Sequence, residues 1–237
     1  MRPRLSIIIP TLDEAASVGE TLRAAARAGE GAGAGVEFIV ADGGSADRTA
    51  DEARAAGARV IAAARGRGAQ LRAGARAARG EVLWFLHADT RAPEGAGRAI
   101  LDALRDPRVA GGNFAVRFDG GTRPARFLTW LYPRLRLLGL CYGDSAIFAR
   151  REAYERAGGF KPYPIFEDLD LWRALGRRGR LAHLPAAVVT SSRRFEGRSF
   201  TRTLARWAFL QLLYWLGVHP DRLGRLYEDR RAVKREG

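Results

Sequence analysis

Acidic side chains follow several apolar runs of this sequence at the point where each run ends. Asp13 and Glu14 come directly after "LSIIIPTL", Asp42 closes "VEFIVAD", and Asp89 closes "EVLWFLHAD". Carboxylates accept hydrogen bonds and bind divalent cations, so these positions can hold a polar ligand or a metal ion. A further acidic group, "FEDLDLW" at 166–172, offers a carboxylate that can take up a proton in general base catalysis.

The elements that must position these acids alternate between strand and helix over the first 110 residues. The hydrophobic pattern predicts strands at 5–9, 36–42, 58–64 and 81–89, and helices at 17–28, 45–56 and 96–104. The stretch 66–80 is predicted to be a loop that leads into a helix ending at Gly80. Ser45 is the predicted N-cap of the second helix, which Gly57 stops. This alternation predicts a parallel sheet with right-handed crossovers, in which ligands bind beyond the carboxyl ends of the strands. The acids therefore lie on the rim where ligands bind, and Pro10 ends the first strand to free that rim.

The pattern changes after residue 110. We predict an antiparallel or mixed strand at 111–119 and an apolar helical stretch at 127–142 that Pro133 interrupts. A short strand with its helix follows at 143–160, and a helix that begins with acidic residues at 166–179. The last elements are a strand at 181–195 and a helix with a basic tail at 199–237. We expect 1–110 and 111–195 to form two halves of one domain, and 196–237 to form a helical, basic C-terminal extension.

The composition is that of a globular protein with a substantial core. The chain has 237 residues, of which 47% are hydrophobic, and one cysteine, Cys141. A single cysteine excludes an internal disulfide framework and a cysteine-rich zinc site, and it fits a reducing compartment. The pattern of a signal peptide is not seen, and no run reaches the ~18 apolar residues that a membrane-spanning helix needs. We therefore expect a cytoplasmic protein.

The chain is strongly basic, with a formal net charge of +14, and all but two of its 40 basic residues are arginine. A basic field attracts nucleic acid, anionic lipid or phosphorylated substrates. Arginines spread over solvated helix faces in an Ala/Arg/Gly-rich composition would give the same charge. The charge alone therefore selects no partner.

An ordered series of motifs resembles the family 2 glycosyltransferases, which have a nucleotide-sugar fold of the GT-A type. The resemblance covers about residues 4–195 and rests on "SIIIPTLDE", "VADGGSADRT", "GAQLRAGARAARGEVLWFLHAD", "GGNF" and "FEDLDLWRAL". The sequences "LHADT", "GDSAIFARR" and "LLYWLGVHPDRLGRLYE" look most like a bacterial subgroup described only as glycosyltransferase-like. The resemblance implies an α/β fold with a mostly parallel central sheet, flanking helices and a C-terminal helical extension. It also implies an enzyme that binds a nucleotide-diphosphate-sugar donor.

The resemblance assigns the first two strand ends to the donor. Pro10, Thr11 and Glu14 match positions that contact the nucleoside side in the family. Asp42 would accept hydrogen bonds from the base or the ribose, since an ionised carboxylate is only an acceptor.

The diphosphate of the donor is assigned to the next strand and the loop before it. Asp89 matches the second acid of the family's DxD motif and would bind Mg²⁺ or Mn²⁺, which neutralises the leaving group. His87 stands where the first acid is usual, and it is a candidate second ligand better suited to Mn²⁺ than to Mg²⁺. Arg67 or Arg72 would add positive charge to the diphosphate. Arg72 departs from the asparagine that many relatives carry.

Asp168 matches the family's catalytic base, which takes the proton of the acceptor hydroxyl in a single displacement with inversion. Glu167 beside it would orient the acceptor or keep Asp168 in place, and Gly143 and Asp144 belong to the acceptor side. The sequence lacks a clear QxxRW motif of processive synthases, so we expect transfer of one sugar, a hexosyl group being the expected one. "DGGS" at 42–45 replaces a commoner paired acid, so recognition of the base can differ from that of relatives.

Simpler structural roles compete with several of these assignments. Asp13, Glu14 and the 167–170 acids would also suit the first turns of helices, and Asp42 with Ser45 would suit a glycine turn. The stretch 204–216 is apolar almost all round, which fits burial, a homodimer contact or a membrane interface. Flanking arginines would suit anionic headgroups at the inner face of the cell membrane, and a lipid-linked acceptor would follow; they are at 193, 194, 198, 202, 222 and 225.

Two other classes of protein remain open at this point. A sugar nucleotidyltransferase ordinarily has a glycine-rich, lysine-bearing loop after its first strand, and "PTLDEAAS" has neither feature. A non-catalytic protein that binds nucleotides or nucleic acid would show salt-dependent DNA binding or no transfer with any donor. We expect no nucleic acid partner.

Overall fold

The computed structural model describes residues 3–30, 35–192 and 199–232, with the backbone alone for 227–232. Within these ranges the chain forms one mixed sheet with helices on both faces. The strands are β1 Leu5–Thr11, β2 Val36–Asp42, β3 Arg59–Ala62, β4 Val82–Phe85, β5 Thr90–Arg91, β6 Val109–Phe118, β7 Phe148–Arg150 and β8 Arg180–Thr190. The helices are α1 Ala15–Gly29, α2 Thr49–Ala55, α3 Arg67–Ala77, α4 Ala96–Ala103, α5 Arg123–Leu137, α6 Arg151–Arg156, α7 Glu167–Gly176, α8 Phe200–Trp215 and α9 Pro220–Ala232.

The strand order across the sheet is β3-β2-β1-β4-β7-β6-β8-β5. The first four strands run parallel, as predicted from the β-α alternation. β7 is antiparallel to both of its neighbours, and β6 is parallel to β8, so the predicted mixed character of β6 is confirmed. The carboxyl ends of β1, β2 and β4 consequently meet at one edge.

The core lies on both faces of the sheet because the central strands carry apolar side chains on both of their faces. On β1, Ile7 and Ile9 point into one cluster and Ile8 into the other, and all three are fully buried. This is the alternation that a strand covered on both faces produces. Cys141 is buried in the second cluster, as expected for a small core residue. A third, smaller cluster joins the end of α5 to α7, α8 and α9 through Leu140, Leu169, Leu210 and Leu223.

Three local predictions are wrong or incomplete. Ser45 does not cap α2, which begins only at Thr49, because the Ser45 hydroxyl is bonded to the Asp42 carboxylate instead. Pro133 lies inside α5 without ending it. The segment predicted as a basic tail contains α9, and Arg193, Arg194 and Arg198 fall outside the described residues. Within the described ranges, none of the helices is both long and apolar enough to cross a bilayer.

Candidate active site

A cleft of about 1520 Å³ lies beyond the carboxyl ends of β1 and β4. One wall comes from the first half of the sequence and the other from the second. The cleft is lined by most of the residues predicted for the site: Pro10, Thr11, Glu14, Arg67, His87, Asp89, Gly143, Asp144 and Asp168. Asp42, Arg72 and Glu167 do not line it.

Asp42 does not line the cleft, but it binds Thr11, which does. Thr11 and Asp42 are paired in the register of β1 and β2, and Thr11 Oγ1 donates a hydrogen bond of 3.0 Å to Asp42 Oδ1. The backbone N–H groups of Gly44 and Ser45 donate to Asp42 Oδ2 at 3.1 and 2.9 Å. Burial by itself raises the pKa of Asp42, but these hydrogen bonds, with that of the Ser45 hydroxyl, outweigh burial and lower the pKa. Asp42 is therefore a fixed carboxylate that holds the Thr11 hydroxyl and the glycine turn.

The loop after β1 is tied to the loop after β2. Asp13 has a left-handed backbone with φ of 55°, its N–H donates to Ser45 Oγ at 2.9 Å, and its Oδ1 accepts from Ala46 N at 2.8 Å. Glu14 holds the N-cap position of α1, but its side chain makes no capping bond to the helix backbone and accepts from Ser17 Oγ at 2.7 Å. Asp13 therefore joins the loop after β1 to the segment after β2, and Glu14 does so through its N–H, which donates to Thr49 Oγ1 at 2.8 Å.

His87 and Asp144 meet across the cleft. His87 Nδ1 lies 3.1 Å from Asp144 Oδ1, and Tyr132 Oη donates to Asp144 Oδ2 at 3.1 Å. His87 is buried, and its Nε2 has no hydrogen-bond partner among the described residues. The contact links the end of β4 to α5 and to the short 3₁₀ turn Gly143–Ser145. It leaves one imidazole nitrogen free for another group.

Asp89 is half-buried on the cleft wall, and its carboxylate makes no hydrogen bond or ion pair with the described residues. No three His, Cys, Asp or Glu side chains in the described part of the chain converge to hold a metal ion by themselves. A divalent cation at a nucleotide diphosphate needs only one or two protein ligands, because phosphate oxygens and water supply the rest. The Asp89 carboxylate and His87 Nε2, neither of which has a partner among the described residues, fit that demand.

The first turn of α7 carries two acidic residues, Glu167 and Asp168, whose side chains are buried. Phe166 takes a left-handed backbone with φ of 63°, after which Glu167 is fully buried and Asp168 is 3% exposed. Gly143 N donates to Asp168 Oδ2 at 2.6 Å. Arg67 Nε donates to Glu167 Oε1, and Arg67 Nη2 lies 3.6 Å from Asp168 Oδ2. Two neighbouring carboxylates therefore share one guanidinium.

These contacts shift the pKa values of Asp168 and Arg67. Burial and then the Glu167 charge raise the pKa of Asp168 to about 6, while Arg67 and the backbone N–H groups of Gly143 and Leu169 act in the opposite direction. Burial disfavours the charge on Arg67, yet the two carboxylates outweigh burial and raise the pKa of its guanidinium. A carboxyl with a raised pKa is suited to accept a proton near neutral pH.

Comparison with known proteins identifies the chain. The family model described as "Glycosyl transferase family 2" matches residues 6–158. This chain belongs to glycosyltransferase family 2. The matched region contains the donor-side motifs but ends before Asp168, so the family match does not extend to the α7 acids. Among curated proteins, none matches the sequence significantly.

Solved structures share the fold of this glycosyltransferase. A glucosyl-3-phosphoglycerate synthase from Mycobacterium tuberculosis, in complex with Mn²⁺, UDP and glucosyl-3-phosphoglycerate, is 22% identical; the match covers 92% of this chain and 81% of that chain with a TM-score of 0.61. The mannosyltransferase PcManGT from Pyrobaculum calidifontis, in complex with GDP-Man and Mn²⁺, is also 22% identical; the match covers 90% of this chain and 62% of that chain with a TM-score of 0.66. These likenesses show that the fold is of the GT-A type, as predicted.

The structure distinguishes Arg67 from Arg72, which the sequence made equal candidates for contact with the diphosphate. Arg67 and Gln70 stand three residues apart on α3 and both line the cleft, whereas Arg72 lies on another side of the helix near Tyr154. Gln70 was missed: its Nε2 donates to the carbonyl oxygens of Thr11 and Ala41 at 2.6 and 3.0 Å and so fixes the ends of β1 and β2. Helical spacing from Arg67 is the signal that could have found it.

The outer half of the cleft is apolar, which the sequence analysis did not predict for the site. Its walls are α5 and α8, which meet where Phe127 packs on Phe200; beyond the end of α5, Tyr142 Oη donates to Gln211 Oε1 of α8 at 2.8 Å. The apolar lining from these helices consists of Leu128, Leu131, Leu135, Leu204, Trp207, Ala208, Leu210 and Trp215. The cleft of the glycosyltransferase therefore has a polar inner end and an apolar outer end.

Proposed function

We propose that this glycosyltransferase moves a single sugar, a hexosyl group, from a nucleotide-diphosphate-sugar donor to an acceptor hydroxyl with inversion at the anomeric carbon. One observation carries the proposal: Thr11, which ends β1, and Asp89, in the loop after β4, share a cleft with Asp168 from the second half of the chain. The cleft of about 1520 Å³ exceeds the ~300–1000 Å³ of a typical small-molecule site, which supports room for two substrates. We retain 1–110 and 111–195 as donor and acceptor halves, followed by the 196–237 extension.

On the donor side, Thr11 and Glu14 contact the nucleoside, and Asp42 acts through the Thr11 hydroxyl that it holds. Asp89, with His87 as second ligand, is assigned to Mg²⁺ or Mn²⁺. The assignment is supported by the position of Asp89 on the cleft wall, where its carboxylate has no partner among the described residues, and by the Mn²⁺ in both solved complexes, one with UDP and one with GDP-Man. When bound, the cation supplies positive charge that stabilises the leaving diphosphate.

On the acceptor side, Asp168 is the general base. It takes the proton of the acceptor hydroxyl as that oxygen bonds to the anomeric carbon and the bond from this carbon to the diphosphate oxygen breaks. Because the hydroxyl attacks from the face opposite the leaving nucleoside diphosphate, the configuration inverts. Gly143 N holds Asp168 Oδ2 for this role, and Asp144 fixes the His87 ring beside it.

The acceptor that we propose is a lipid-linked hydroxyl compound. The support is the composition of the outer cleft, where leucine and tryptophan side chains of α5 and α8 face the open space. Apolar walls gain free energy by covering a hydrocarbon chain and gain little from a free sugar. The polar inner end then receives the hydroxyl next to Asp168.

A thermal-shift panel tests the donor assignment. UDP-, GDP-, dTDP- and CDP-linked sugars are each added with Mg²⁺, with Mn²⁺ or with EDTA. One donor is expected to raise the melting temperature, and only with a divalent cation present, because a ligand that binds the native state stabilises it. Stabilisation by none of the donors with either cation would overturn the proposed function. NMR of the product formed from the stabilising donor then reports whether the anomeric configuration inverts.

A further inference from the structure

One side of α8 is an apolar stripe that the described protein does not cover. Phe209, Leu212 and Leu216 recur at helical spacing and are 54%, 49% and 71% exposed. Ala205 continues the stripe toward the N-terminus of the helix, and Arg202 ends it, both also exposed. We call these five residues the α8 stripe. Large apolar side chains exposed as a contiguous row, and not singly, mark an interaction surface.

The adjacent side of the same helix is a wall of the active-site cleft. Leu204, Trp207, Gln211 and Trp215 line the cleft, and Trp215 is still 56% exposed. The cleft wall and the α8 stripe are thus separated only by the thickness of one helix, ~10 Å. Whatever covers the stripe lies next to the outer, apolar end of the cleft.

From this arrangement we propose that the α8 stripe docks on the surface of an anionic lipid bilayer, so that the cleft opens toward the membrane. The proposal rests on the proposed function, since it gives a lipid-linked acceptor its route to Asp168. α8 lies in the plane of the interface and does not cross it: its 16 residues span ~24 Å, less than the ~30 Å hydrocarbon core.

Charge favours an anionic bilayer over a second copy of the chain as the occupant. The stripe ends in Arg202, and Arg222 and Arg225 are exposed on α9, which follows α8 directly. A net charge of +14 attracts anionic headgroups and repels another molecule of the same charge. An exposed apolar row with one basic residue at its end and two on the next helix favours contact with anionic lipid.

The end of α5 adds a second apolar contact. Leu137 and Leu138 are 87% and 76% exposed, and their neighbours Leu135 and Leu140 pack in the same small core as Leu210 of α8. The end of α5 therefore lies beside α8. A bilayer in contact with both helices meets the cleft between them.

Vesicle co-sedimentation of the full chain tests the docking. Phosphatidylcholine vesicles with and without phosphatidylglycerol are compared for the parent, for Leu212→Glu/Leu216→Glu and for Ala26→Glu/Ala55→Glu. The last variant is the matched control, because it adds the same two charges at exposed positions of α1 and α2, near the β3 edge of the sheet. We expect the parent and the control to bind phosphatidylglycerol vesicles, and the stripe variant to bind about tenfold or more weakly.

The outcomes separate this proposal from the proposed function. Each variant is also melted with the stabilising donor, and an unchanged donor shift in the stripe variant shows that the site is intact. A parent that responds to donor but does not bind phosphatidylglycerol vesicles overturns the docking alone. Equal losses of vesicle binding in the stripe and control variants would show that net charge alone causes the loss, and would also overturn the docking. If the parent is a dimer that does not bind vesicles, and the stripe variant is a monomer, the stripe contacts a second copy of the chain and the membrane proposal is rejected.

Discussion

Arg67, on α3, donates a hydrogen bond to Glu167, on α7, across 100 residues of sequence. Glu167 is fully buried, and its second oxygen, Oε2, has no hydrogen-bond partner among the described residues, so Arg67 is the group that balances its charge. The same guanidinium approaches Asp168. The ion pair therefore joins the first half of the sequence to the turn that carries the proposed base.

Removing Arg67 is expected to lower the free energy of unfolding. Arg67→Gln leaves the buried Glu167 charge without its partner, and we expect a loss of about 2 kcal/mol, below the usual cost of breaking a buried pair because Arg67 is a third exposed. Urea unfolding of Arg67→Gln, Glu167→Gln and the double variant measures the coupling. The double variant is expected to be less destabilised than the sum of the single variants, and strict additivity would contradict the pair.

Asp168→Asn is expected to keep donor binding and to lose transfer by about 100-fold or more, because the amide cannot accept the proton. Initial transfer rates and the donor-induced thermal shift are measured on the same sample. Asp170→Asn is the matched control: it removes a carboxylate two residues along α7 that pairs with Lys161. If Asp168→Asn turned over at the rate of the parent, the base would be another group.

The rate of transfer is expected to fall as the pH drops through about 6, because Asp168 must be ionised to accept a proton and its pKa is raised to about 6. Glu167→Gln removes a negative charge that contributes to this raised pKa, so the acidic limb of the profile is expected to move to lower pH. The measurement is kcat/KM against pH for both proteins. A limb that moves to higher pH in Glu167→Gln would contradict the coupling of the two carboxylates.

Asp89→Asn is expected to weaken donor binding about tenfold or more in Mn²⁺ and to leave the weak binding in EDTA unchanged. The reason is that the amide loses the negative charge with which the carboxylate attracts the cation. Calorimetry with the donor from the thermal-shift panel checks both conditions. Equal affinity of the parent and the variant in Mn²⁺ would remove Asp89 from the metal site.

Gly143→Ala is expected to destabilise the protein by about 1–3 kcal/mol and to reduce transfer. An added Cβ would lie 2.8 Å from His87 Nε2 and 3.3 Å from Asp168 Oδ2, where the two halves of the site meet. Gly121→Ala is the control, since nothing lies within 4 Å of its added Cβ. Urea unfolding and transfer rates are compared, and a Gly143→Ala protein as stable and active as the control would show that the cleft yields at this point.

The amino-acid sequence by itself determined the fold class and the edge of the sheet at which the candidate site lies. Apolar runs that alternate with helical patterns predict parallel strands, and parallel strands bring their carboxyl ends to one edge. For that reason Thr11 and Asp89 were correctly expected on a common rim. Local pattern is sufficient for this because it identifies each strand and helix, and a helix between two strands returns the chain to the sheet in the same direction.

Tertiary packing alone decided the partners of the charged groups and the role of the last helices. The sequence predicts Arg67 at the diphosphate but gives no sign that it pairs with Glu167 of α7, because a contact across 100 residues has no local signature. The contact of His87 with Asp144 has no local signature either. An all-round apolar helix such as α8 has no single hydrophobic face in its sequence, so only its neighbours determine which side lines the cleft and which faces solvent.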